Sequence, residues 1–228
     1  MSTSGLPEGS WPWLHDIGRG IARYLYRPTY RVRTEGLGRV PRTGPVVLVA
    51  NHSSMIEPQL IFGMLPRRAV FLVKDEMFTG PAGWGLRRIG QIRVTRGAPD
   101  RAALQAAVRV LRDGGMVGVF PEGTRGPGDV AQAQQGAAWL VRATGAIVLP
   151  VAVRGTLRPP GHRRHRRRFR PVVDLLVGEP FALDVGRGRT GLEEGTERLR
   201  STLAALVDRL DRQRQDLPAK GKRNDDRG

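Results

Sequence analysis

Apolar residues recur along the chain in two rhythms. Residues 45–50 (PVVLVA), 69–73, 92–94, 116–120, 147–153 (IVLPVAV) and 172–177 (VVDLLV) are short and nearly continuous in apolar character. Runs of that kind mark strands buried on both faces of a sheet. Residues 29–36 (TYRVRTEG) alternate instead, as a strand with one face in water does. Between these runs the spacing becomes helical, over Pro58–Leu65, a short stretch ending at Ile89, 99–112 (PDRAALQAAVRVLR), 134–144 and 190–215. Asp100 and Gly114 bracket the 99–112 segment, and Gly145 closes the next, as expected of helix start and stop residues.

Strands alternating with helices predict an α/β fold, a single-domain sandwich with a largely parallel central sheet flanked by helices. Neither an internal repeat nor a second domain emerges. The expected organisation is a leader over 1–27, flexible to residue 10, a domain over 28–216, and a disordered tail over 217–228, where apolar residues are scarce.

The leader has a pattern of its own. Trp13, Leu14, Ile17, Ile21, Tyr24 and Leu25 fall on one side of a helix, with His15, Asp16, Arg19 and Arg23 on the other. Such a helix can lie in a membrane interface, or it can pack its apolar stripe on its own domain. Both readings stand. No apolar run approaches the roughly 20 residues that span a bilayer, and the start lacks the apolar core of a secretory signal. A cytosolic protein, or one held peripherally on the cytoplasmic face of the cell membrane, is expected.

Composition narrows the chemistry. The chain has no cysteine, which removes disulfides, thiolate metal sites and cysteine nucleophiles. Its four histidines show no zinc-site spacing. The net charge of +17 is carried almost wholly by arginine, since only Lys74, Lys220 and Lys222 are lysines. An acidic membrane surface, a phosphorylated substrate or nucleic acid would complement it; a coding bias towards arginine would produce it without a partner. The densest basic stretch, 161–170, holds six arginines in ten residues. It reads as a solvated loop, or as a contact for anionic headgroups or carrier phosphates. No helix-turn-helix or RNA-recognition pattern accompanies it, so nucleic acid is not the expected partner.

Two polar segments directly follow buried strands, where ligands gather in open α/β sheets. The first runs from Asn51 to Pro58 (NHSSMIEP) and the second from Phe120 to Arg125 (FPEGTR). On one continuous helix, His52 and Glu57 would lie about 140° apart. They meet only if the chain turns before the helix begins, and Pro58, suited to the first helical position, is expected to push Glu57 out of helical geometry. Glu57 would then hold one imidazole nitrogen and free the other to take a proton from an alcohol. The competing reading is a capping box, Ser54 to Glu57, in which Glu57 only satisfies a backbone amide. In the second segment Gly123 removes bulk, Thr124 offers a hydroxyl and Arg125 a planar fork for phosphate, while Glu122 beside Arg125 reads equally as an ion pair.

Together the segments resemble the glycerolipid acyltransferases of the lysophosphatidic acid acyltransferase type. Asn51-His52 with Glu57 resembles that family's NHxxxxD motif, and FPEGTR matches its second hallmark unchanged. Residues 90–96 (GQIRVTR) look like its G-x-I-x-x-x-R block, and 148–153 like its final apolar-proline block. The resemblance covers roughly residues 28–180. It implies a glycerol-phosphate acyltransferase-like fold and transfer of a fatty acyl group from acyl-CoA or acyl-carrier protein to a lysophospholipid, giving phosphatidic acid. His52 would be the base and Glu57 its orienting acid. Arg96, Glu122, Gly123, Thr124 and Arg125 would bind the acceptor, and neither metal, cofactor nor covalent enzyme intermediate is implied. The chain departs from the family at Glu57, in place of aspartate, at Thr95, where many members carry aspartate, and at Gln134-Gln135, where members often carry lysines.

Overall fold

The computed structural model describes residues 5–95, 100–123, 126–157 and 170–216. Among the described residues there are seven strands, β1 (Arg31–Glu35), β2 (Val46–Ala50), β3 (Val70–Lys74), β4 (Ile92–Val94), β5 (Met116–Val119), β6 (Ile147–Arg154) and β7 (Val172–Val177). They form one sheet in the order β1-β7-β6-β2-β5-β3-β4. The neighbours from β6 to β4 are parallel, β7 runs antiparallel to β6, and β1 follows β7. The largely parallel sandwich expected from the pattern is therefore the observed one, with a reversed pair at one edge.

The helices are α1 (Pro12–Leu25), α2 (Glu57–Met64), α3 (Gly80–Arg88), α4 (Arg101–Arg112), α5 (Gly136–Thr144) and α6 (Gly188–Gln215). Strand β2 lies at the centre and is buried at every position. Val47 and Val49 face one way into a core shared with α4 and α5. Val46, Leu48 and Ala50 face the other way, onto Leu60, Ile61 and Met64 of α2. This is the two-residue period of a strand covered on both sides. Complete burial of a side chain such as Leu48 contributes about 1.5–3 kcal/mol. Helix α6 covers the β6–β7 region through Leu203, Leu206 and Val207. Helix α4 starts where Asp100 accepts a hydrogen bond from the Ala103 amide at 3.0 Å, a side-chain cap.

One expectation for the leader changes, and the packing of its helix, left open by the sequence, is set. Residues 5–10 are not free: Leu6 is buried in the core and the Trp11 amide donates to the Arg88 carbonyl at 2.7 Å. Helix α1 exists as expected, but it turns its apolar stripe outward. Trp13, Ile17, Ile21, Tyr24 and Leu25 are 49–60% exposed, while His15 is fully buried. The inward face is made of small and polar groups. Gly63 of α2 lies so near that a Cβ there would come 2.6 Å from the Arg23 amide nitrogen. His15 Nδ1 meets the Ile89 carbonyl at 2.6 Å, and its ring packs edge-on against Phe62. Burial of this imidazole lowers its pKa from 6.5 to about 4, against the opposing hydrogen bond to Ile89. Among the described residues no helix is long and apolar enough to cross a membrane.

Candidate active site

The carboxyl ends of three adjacent parallel strands, β6, β2 and β5, converge on His52. Asn51 continues the ladder beyond β2 by imitating a peptide group. Its side chain accepts from the Val153 amide at 2.8 Å and donates to the Val153 carbonyl at 3.0 Å. His52 follows directly, and the turn after β5 grips its backbone from both sides. The His52 amide donates to Glu122 Oε1 and its carbonyl accepts from the Gly126 amide, each at 3.0 Å. The imidazole lies against the Phe120 ring, with centroids 4.5 Å apart, and Phe120 stacks on Phe71.

His52 Nδ1 faces Glu57 Oε2 at 3.3 Å. The pairing expected from the spacing is formed, though not by the expected route. Glu57 is the first residue of α2 and Pro58 the second, with Ile56 as the cap. Proline is tolerated there because the first amides of a helix need no intrahelical acceptor. The chain turns earlier, over Ser53–Ile56, and brings the carboxylate back beneath the imidazole. There it also accepts from the Ser53 amide at 2.7 Å and the Ser54 amide at 3.0 Å. Dyad and backbone cap are thus both present in one side chain.

Glu57 is fully buried, and Oε1 takes the Ser53 hydroxyl and, at 2.6 Å, the Thr156 hydroxyl. Burial alone would raise this carboxyl, but the bonds from His52, Ser53, Thr156 and Ser54 outweigh it and hold its pKa below the usual 4.5. An ionised carboxylate on Nδ1 selects the tautomer with the proton on Nδ1 and a lone pair on Nε2. The imidazole side chain is 13% exposed and forms part of the wall of a cavity of about 1490 Å³. Other walls are apolar, among them Phe62, Phe71, Leu72, Phe120, Leu104 and Leu140, and the cavity exceeds the roughly 300–1,000 Å³ of ordinary small-ligand sites. Lys74, Thr95, Arg101 and Gln134 give it a polar portion.

The second segment divides. Gly123 lines the cavity at φ +67°, and a side chain there would strike Gln134, whose amide nitrogen would lie 2.2 Å from the added Cβ. Glu122, expected at the acceptor, accepts from the His52 amide through Oε1, and it is not among the residues lining the cavity. Burial raises its pKa despite that bond. Arg96, Thr124 and Arg125, and the basic stretch over 161–169, lie outside the described residues. Sequence reasoning missed Ser53 and Thr156. The signal for Thr156 was the one that exposed His52, a polar residue just past a buried strand.

Residues 31–154 match the family model described as Acyltransferase. The 1-acyl-sn-glycerol-3-phosphate acyltransferase LPAT1 of Arabidopsis thaliana chloroplasts is 30% identical over 62% of this chain and 41% of its own length. The 1-acyl-sn-glycerol-3-phosphate acyltransferase of Bacillus subtilis is 27% identical over 75% of this chain and 86% of its own. That of Pseudomonas aeruginosa is 31% identical over 61% and 52% respectively. The chain thus spans about two-fifths of the plant relative and about half of the Pseudomonas one. The crystal structure of the 1-acyl-sn-glycerophosphate acyltransferase PlsC of Thermotoga maritima superposes with a TM-score of 0.64 at 27% identity, covering 87% of this chain and 78% of that one.

Proposed function

Since the chain belongs to the acyltransferase family, we propose that it transfers a fatty acyl group from a thioester, acyl-CoA or acyl-carrier protein, to the free hydroxyl of a lysophospholipid, with 1-acyl-glycerol-3-phosphate as acceptor and phosphatidic acid as product. The observation that carries the reading is the His52 Nδ1–Glu57 Oε2 contact of 3.3 Å in the wall of a large apolar cavity. Nε2 takes the acceptor's hydroxyl proton as its oxygen attacks the thioester carbonyl. The tetrahedral intermediate collapses by expelling the thiolate, which recovers the proton from the imidazolium. Glu57 keeps Nδ1 protonated and stabilises the imidazolium between the two steps. The apolar walls suit acyl chains. Gly123 with Thr124, Arg125 and Arg96 forms the acceptor's phosphate site in this reading.

We further propose peripheral attachment to a membrane surface through α1. Its outward Trp13, Ile17, Ile21, Tyr24 and Leu25 suit the acyl boundary, and Arg23 and Arg27 flank them for anionic headgroups. Trp84 of α3 extends this surface, joined to it through Trp11.

Purified protein is to be assayed with labelled acyl-CoA beside acyl-carrier protein and a panel of phosphorylated and uncharged lyso-acceptors. His52→Ala should abolish transfer with an unchanged circular-dichroism spectrum; transfer surviving near the wild-type rate would sink the mechanism. Preference for an uncharged acceptor would replace the phosphate reading while keeping the chemistry. Ile17→Glu with Ile21→Glu should release the protein from anionic vesicles, and undiminished binding would remove α1 from the membrane contact.

A further inference from the structure

The bonding around Glu57 leaves one structural question open: what fixes the plane of its carboxylate so that one oxygen stays on the imidazole. A glutamate carboxylate turns about a broad terminal torsion. Oε2 is claimed by three N–H groups, from Ser53, Ser54 and His52. Oε1 faces two hydroxyls and no N–H. Each hydroxyl has a single proton, and both are directed at Oε1. The contact between the two hydroxyl oxygens, at 3.4 Å, is accordingly the longest in the group. Ser53 and Thr156 lie just past the ends of different strands, β2 and β6, whose ladder Asn51 extends to Val153. Thr156 is buried, and its branched Cβ restricts the hydroxyl to few directions.

We propose that Thr156 and Ser53 are positioning residues, whose hydroxyls fasten Oε1 of Glu57 and thereby hold Oε2 against His52 Nδ1. The inference rests on the acyl-transfer reading for its consequence, but not for its geometry. A glutamate has one more rotatable bond than the aspartate of the family motif, and the two hydroxyls remove the freedom that the added bond introduces. Thr156 therefore acts on the reaction through Glu57 and touches no substrate.

The test is Thr156→Val, which keeps the shape and removes the donor, beside Thr156→Ser, which keeps the donor. Two readouts apply: transfer kinetics, and the imidazole ¹⁵N shifts of His52, which report its tautomer. Thr156→Val should lower kcat by about 10- to 100-fold, the scale of a misplaced catalytic group, with KM changed less than about twofold. It should also shift His52 from pure Nδ1–H towards a tautomer mixture. Thr156→Ser should restore both. In a Glu57→Ala background the same Thr156→Val change should alter kcat by less than about twofold, because the group it positions is gone. Ser53→Ala should repeat the Thr156→Val pattern. An unchanged tautomer in Thr156→Val would overturn the proposal whether or not the protein transfers acyl groups, as would equal losses in Thr156→Ser and Thr156→Val. A tautomer response in a protein without transferase activity would overturn the acyl-transfer reading and uphold the positioning role.

Discussion

Replacing Glu57 by glutamine removes one charge while leaving the shape of the site almost intact. Three N–H groups converge where Oε2 stands, so the amide oxygen must take that place. The NH₂ then faces the Ser53 and Thr156 hydroxyls, which can rotate to accept from it. The fold should lose only about 1–2 kcal/mol, as charge-assisted bonds become neutral ones. The tautomer of His52 should also persist, because an oxygen still receives Nδ1–H. What disappears is the attraction between carboxylate and imidazolium. The N···O distance is 3.3 Å, and with the ring charge spread the centres lie about 4 Å apart, worth about 4 kcal/mol at an effective dielectric of ~20. If the proton is half transferred in the transition state, about half of that is felt, or ~30-fold in rate; full transfer would give ~1,000-fold. Initial rates at saturating acceptor and donor should therefore show kcat reduced between these limits, with KM within about threefold. A Glu57→Gln enzyme within threefold of wild type would refute the idea that this carboxylate stabilises a charged imidazole.

Three further outcomes are expected. The unfolded chain protonates His15 before the folded one does, since burial holds its folded pKa near 4; stability should therefore fall as pH drops from 6.5 towards 4. Between pH 7 and 5 the loss is about 2 kcal/mol, to be read by urea unfolding, and His15→Leu should show a flatter profile; parallel profiles would contradict the assignment. Gly118→Ala would place a Cβ 2.2 Å from Phe71 Cε1, costing about 1–3 kcal/mol of stability and lowering activity through the Phe71–Phe120–His52 stack, as thermal melts and rates would show. Asp100→Ala removes the cap of α4 and an acceptor for the Thr95 amide, and should cost about 1 kcal/mol in denaturant titrations.

The strands and most helices were legible because burial on one face or two leaves a period in the sequence. PVVLVA and VVDLLV could be little else, and β2 and β7 occupy them. Periodicity gave α1 its helix but not its sign. An amphipathic pattern does not say which stripe faces inward when polar groups can find carbonyls, as His15 does at Ile89 and Arg19 at Leu65. Close approach at Gly63 and Ala22 then replaces an apolar seam. The meeting of His52 and Glu57 across a turn before the helix was readable, although Glu57 is itself the first helical residue rather than held outside by Pro58. That Thr156 would meet Glu57 was not readable, although its place just past a buried strand was. Its partner is 99 residues away, and only the adjacency of β6 and β2 joins them. Glu122 was assigned by resemblance, and its backbone partner is visible only once the β5 turn is seen folded over His52.

The placement of the imidazole just past the end of the innermost strand decides in what order the protein should fail under denaturant. The elements holding the dyad are flanked on both sides by paired strands, whereas α1 packs on α2 and the end of α3, and β4 is a three-residue edge. Segments with fewer buried contacts open first. The vesicle attachment proposed for α1 should consequently be surrendered at lower urea concentration than the turnover proposed for His52 on detergent-dispersed substrate, so that release from lipid precedes loss of chemistry.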